Sequence, residues 1–146
     1  MVDIIHKVGI LGKVDEIYLA LTTDQGLSSW WTSTTSGAGD VGSIIQFRFD
    51  SVVVEFEVVE LKQNSFVRWR HKGDMPEEWS GTEVSFTLDV KEDQVMLLFK
   101  HANWQNSPGF MAHCSMKWAV FMLSLKQAIE TGKGQPYPED IQIDHN

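Results

Sequence analysis

The chain has 146 residues, a length that fits one domain with one core over residues 1–146. Its 12 basic and 20 acidic residues leave a net charge of −8, which repels phosphate backbones and anionic headgroups. Neither nucleic acid nor a membrane is therefore an expected partner. The single cysteine, Cys114, rules out an internal disulfide framework and fits a reducing, cytoplasmic setting.

Val2–Leu11 reads as a first strand. It is not a basic region leading into a long apolar run, so no leader peptide is expected, and no apolar run approaches the roughly 18 residues of a membrane span. Asp15 and Glu16 open a short helix running through Ala20 and Leu21, with acids in the first turn, where the helix dipole favours them. Thr23 or Asp24 can cap a second short helix carrying Leu27, Trp30 and Trp31. The Ser/Thr/Gly-rich stretch Thr32–Gly42 is a long loop inside the domain.

Five strand-like runs follow: Ser43–Asp50, Val52–Leu61, Phe66–Lys72, Thr82–Val90 and Gln94–His101. Each alternates apolar with polar residues, the pattern of an antiparallel sheet with one covered and one wet face. The links Asp50-Ser51, Lys62–Ser65 and Lys91–Asp93 have hairpin length, so consecutive strands should pair. Gly73–Ser80, with Pro76 and Trp79, is longer. The period then becomes helical. Phe110, Cys114, Trp118, Phe121, Met122, Leu125 and Ile129 recur at spacings of three and four, with Pro108-Gly109 at the start and Gly132 at the stop. The tail Gly134–Asn146 should run as an irregular strap. The expected class is α+β: a six-stranded antiparallel sheet curved around the long C-terminal helix, with two short helices between strands 1 and 2.

Six Trp and eight Phe form a large aromatic load for this length. Alternation and helical spacing place Trp31, Phe47, Phe56, Trp69, His71, Phe86, Phe99, His101, Trp104, Met111, Cys114, Trp118 and Met122 on covered faces. They are the candidate lining of an apolar pocket between sheet and helix; plain core packing is the competing reading. His71 and His101 lie at strand ends on the apolar face. The intervening strand separates them by about 10 Å, which suits hydrogen bonding at a pocket mouth better than shared chelation of a metal. Cys114 and His113 point about 100° apart on the helix, so they make no nucleophile–base pair. Gly37-Ala38-Gly39 lacks a lysine and precedes a strand, so it cannot cradle phosphate. Glu55/Glu57 and Glu77/Glu78 read as solvated surface. No catalytic residue, cofactor or metal site is expected.

The order of elements resembles the helix-grip fold of the START and birch-pollen-allergen superfamily (SRPBCC). Within it, the chain resembles the heat-shock ATPase activator homologues. The residues that carry this are Trp30-Trp31, the entry Gly39–Gly42, the run Lys117-Trp118-x-x-Phe121-x-x-Ser124-Leu125-Lys126, the stop Glu130-Thr131-Gly132-Lys133-Gly134, and Pro136-Tyr137-Pro138. The resemblance implies the fold and a ligand cavity without implying one reaction. Three functions follow as expectations. The first is binding of a small apolar or aromatic molecule. The second is a cofactor-free cyclase or dehydratase using His71 or His101 as its acid or base. The third is a co-chaperone-like interaction module. Assembly as a monomer or as a homodimer is left open.

Overall fold

A computed structural model describes residues 2–105 and 108–143. Strand β1 (Val2–Ile10) is followed by helices α1 (Val14–Thr22) and α2 (Asp24–Ser28). The strands β2 (Thr35–Ser36), β3 (Ile44–Phe49), β4 (Val52–Lys62), β5 (Phe66–Lys72), β6 (Glu83–Lys91) and β7 (Gln94–Trp104) come next, and α3 (Pro108–Thr131) last. The sheet order is β1-β7-β6-β5-β4-β3-β2, with every neighbouring pair antiparallel. The sheet therefore has seven strands where alternation indicates six. The additional strand, β2, is two residues long, too short for any period to reveal it, and lies within the expected loop Thr32–Gly42.

Period-2 burial is what gives the sheet its two faces. Phe47, Phe56, Trp69, Phe86 and Phe99 are at most 1% exposed and all point to the concave side. The register sets Phe86 opposite Phe99 and Phe56 opposite His71. On the wet face the charges pair across strands: Arg68 meets Glu60 and Glu83 at 3.1 Å, Arg70 meets Glu83 at 3.1 Å, and Lys72 meets Glu57 at 3.1 Å. Hairpin turns place Asp50 and Asn64 in the left-handed region, which these two side chains tolerate better than most.

Helix α3 fills the concavity, burying Cys114, Trp118, Phe121, Met122 and Leu125. Trp118 lies 4.5 Å from Phe99, centroid to centroid. Polar bonds fix the helix along β1: Leu11 N donates to Glu130 Oε2 at 2.8 Å, and the His6 imidazole bonds the Ser115 carbonyl at 3.0 Å. None of the helices described is long and apolar enough to cross a membrane.

One local departure bears on the site. Helix α2 stops at Ser28, short of Trp30 and Trp31, which occupy the following turn. The Trp31 carbonyl, which a longer helix would use internally, accepts instead from Tyr137 N at 2.6 Å. The C-terminal strap supplies that bond. Tyr137 O in turn accepts from Ser33 N at 3.0 Å, and Gln135 N donates to Ser124 Oγ at 2.8 Å. Where the strap crosses α3, a Cβ on Gly134 would stand 2.6 Å from Ser29 O and 2.8 Å from Ser124 O, so only glycine fits.

Candidate functional site

A cleft of about 380 Å³ opens between α3 and the β3–β4 end of the sheet. One helix face supplies Phe110, His113, Cys114, Lys117, Trp118 and Phe121, at the three- and four-residue spacing that aligns side chains on a helix. The β3–β4 hairpin supplies Phe49, Val52 and Val54, the turn after α2 supplies Trp31, and the β5–β6 connection supplies Pro76 and Trp79. Trp31 is the hub of this wall. Its ring lies 4.8 Å from Trp118 and 4.1 Å from Phe47, and it stacks at 4° on Trp69, 6.1 Å away. Trp79 stacks on Trp118 at 6.2 Å.

Of the residues proposed from sequence, the structure brings Trp31, Cys114 and Trp118 to the cleft wall. Phe47, Phe56, Trp69, Phe86 and Phe99 form the packed aromatic layer beneath. Trp104 and Met122 are buried in the core, and Met111 is half-buried against it.

His71 and His101 flank β6 as the meander requires, but an indole separates them. Trp79, on a 3-10 turn over Glu77–Trp79, meets both rings edge-on, 5.9 Å from His71 and 4.8 Å from His101. The His101 ring is fully engaged by protein. Trp118 Nε1 donates to its Nδ1 at 3.0 Å, so the neutral ring carries its proton on Nε2 and donates that to Thr82 Oγ1 at 2.9 Å. Thr82 Oγ1 passes its own hydrogen to the Trp79 carbonyl at 2.6 Å. Burial pushes the His101 pKa down to about 3, and the neighbouring His71 adds to the effect. His71 is also lowered by burial, against a bond from its ring to the Met75 carbonyl at 3.0 Å. The expectation that both imidazoles face a ligand is thus corrected for His101: it is a neutral strut that locks Trp118 and the Trp79 turn in place.

Burial likewise pushes the Cys114 thiol up to about 12, so it stays protonated at neutral pH. Trp79 Nε1 is buried without a hydrogen bond of ordinary geometry, although it lies close enough to Cys114 to oppose that rise. Lys117 is the one lysine, arginine or carboxylate side chain among the lining residues. Its ammonium is 5.4 Å from the Phe121 ring centroid and ion-pairs with Asp140 of the strap, whose side chain is wholly buried. Among the described residues, no three His, Cys, Asp or Glu side chains converge as metal ligands.

Sequence reasoning missed Trp79, Lys117, Phe49 and the hairpin valines as cleft residues. Phe49 sits on the apolar alternation of β3, and Phe110 and Phe121 on the apolar stripe of α3, so a signal existed for those. Trp79 offered none beyond being an indole in a polar loop.

A family model described as Activator of Hsp90 ATPase homolog 1-like protein matches residues 12–130. The solution structure of the Aha1 dimer from Colwellia psychrerythraea is 54% identical, covers 92% of this chain and 100% of its own, and superposes with a TM-score of 0.86. CalU16 from Micromonospora echinospora matches at 17% identity over 99% of this chain and 75% of its own, with a TM-score of 0.77. Protein SSP2350 from Staphylococcus saprophyticus matches at 14% identity over 91% of this chain and 95% of its own, with a TM-score of 0.75. These last two share the fold alone. No curated protein matches the chain.

Proposed function

Because the chain belongs to the Activator of Hsp90 ATPase homolog 1-like family and carries an aromatic cleft between its helix and sheet, we propose that it binds a small apolar or aromatic molecule there. The observation that carries the reading is the convergence of Trp31, Trp79 and Trp118, drawn from three separate segments, on a concavity of about 380 Å³. That volume falls in the range of small-molecule sites, which are apolar with a few placed polar groups. Two of the groups that acid–base chemistry could use are otherwise committed: His101 is locked in the core and Cys114 is held as a thiol. With those two groups committed, binding is the reading adopted for the cleft.

A homodimer in the cytoplasm is the assembly and setting that go with this reading. The Colwellia psychrerythraea relative is described as a dimer, and the lone buried Cys114 suits a reducing compartment.

The test is native mass spectrometry of protein purified from its own host, followed by titration of what co-purifies. A bound ligand should quench tryptophan fluorescence and raise the melting temperature, by about 2.7 kcal/mol of stabilisation at a hundredfold excess over Kd. If nothing co-purifies and a diverse apolar library moves neither signal, the reading fails.

A further inference from the structure

The polar chemistry of the cleft narrows the ligand class. Lys117 lines it, and no carboxylate does. Trp79 Nε1 is a buried donor with no ordinary acceptor. A lining that offers donors and a cation, and no anion, suits a ligand whose polar end accepts hydrogen bonds and carries negative charge.

The strap adds a second, independent observation. Burying a carboxylate is costly unless a cation and hydrogen bonds compensate it. The Asp140 side chain is fully buried, and what compensates it is Lys117 Nζ on one oxygen and Gln142 Nε2 at 3.5 Å from the other. Lys117 Nζ also donates to the Ile141 carbonyl at 3.2 Å. This end of the cleft is therefore already a carboxylate receptor, and the carboxylate it holds belongs to the protein's own tail. The anchors that hold the strap down at Tyr137 and Gln135 lie upstream of Asp140 and do not involve Lys117. Asp140 and the residues after it lie beyond these anchors and beyond the turn that Glu139 N closes on the Pro136 carbonyl at 2.7 Å.

We propose that the cleft binds an apolar or aromatic carboxylic acid, with its ring among Trp31, Trp79 and Trp118 and its carboxylate on Lys117 in place of the Asp140 side chain. This rests on the small-molecule reading of the same cleft and adds to it both a ligand class and a competitor. The tail aspartate acts as a tethered stand-in that a ligand acid must displace.

The probes are naphthylacetic acid and its neutral isostere naphthylacetamide, titrated calorimetrically into the full chain near neutral pH. In wild type the acid exchanges one carboxylate for another on Lys117, so it should bind only modestly more tightly than the amide. Lys117→Met should erase that preference, whereas Lys117→Arg, which keeps the charge, should retain it. Asp140→Asn removes the tethered competitor and should tighten the acid by about tenfold while leaving the amide unchanged. Equal binding of acid and amide by wild type and by Asp140→Asn would overturn the proposal and leave the small-molecule reading standing; that comparison does not depend on the Lys117 variants folding. Binding of neither probe by any of the folded proteins would also overturn the proposal, while the small-molecule reading stands or falls on co-purification and the apolar library.

Discussion

The buried bridge Trp118–His101–Thr82 makes the stability of this protein depend on pH in a way that can be worked out in advance. His101 has an ordinary pKa of 6.5 and one of about 3 in the fold, because burial disfavours its charged form. Between those values the unfolded chain binds a proton that the folded chain refuses, so stability falls as pH falls. Within that window the slope from this one group approaches about 1.4 kcal/mol per pH unit. Going from about pH 7.5 to about pH 5, His101 alone should cost ~2 kcal/mol. His71 is lowered in the same direction and adds a smaller share of the same sign. Urea unfolding followed by tryptophan fluorescence at a series of pH values measures this. His101→Gln is the comparison, since its amide can donate and accept where the imidazole did and cannot titrate. The variant will be less stable at neutral pH, but its stability should decline more gently toward pH 5. The diagnostic is the difference in slope. Parallel curves for wild type and variant would refute the reasoning, because they would mean that His101 is reached by water and titrates as it does unfolded.

Other outcomes follow from the same geometry. Trp118→Ala should destabilise by roughly 3–5 kcal/mol, the cost of emptying a buried aromatic site, here with the loss of the bond to His101 as well; an unchanged denaturation midpoint would remove Trp118 from the core. Gly134→Ala drives a methyl against Ser29 O and Ser124 O and should cost about 1–3 kcal/mol; a neutral effect would mean that the strap has room to shift. With its thiol pushed up to about 12 from an ordinary 9.0, Cys114 should be alkylated by iodoacetamide about a thousandfold more slowly in the folded protein than in urea. A free-thiol rate in native buffer would show the cleft wall to be open at that point. Light scattering should return twice the monomer mass of 16.6 kDa at micromolar concentration if the chain dimerises, and a concentration-independent monomer would end that proposal.

Much of the fold is written in local periods. Each alternating run became a strand with its apolar residues on the concave side, and the three- and four-residue spacing from Phe110 onward became the gripping helix, because burial of one face is what both patterns encode. What the period could not carry was anything shorter than itself. Strand β2 has two residues, pairing Thr35 with Phe47 and Ser36 with Gln46, and is held by the neighbouring β3 more than by its own composition.

Alternation and helical spacing report only which face a regular element buries, so a candidate list drawn from them is weighted toward the core. Phe56, Trp69, Phe86 and Phe99 alternate as pocket residues would, yet they pack on one another. Trp31, Trp79 and Asp140 decide the shape and charge of the cleft, and each arrives from a turn, a loop or the tail. Nothing in the spacing of residues 74–80 says that Trp79 folds inward between two histidines. Nothing in the tail says that Asp140 will pair with Lys117, since the two are separated by 23 residues and meet where the strap, in close contact with α3 at Gly134, returns along the helix. The cation at the cleft was visible all along as Lys117 in the helix run. Its pairing depended on a partner that local sequence cannot assign, and that dependence is physical: a lysine on a helix surface is ordinarily solvated, and here the fold sets a buried carboxylate opposite it.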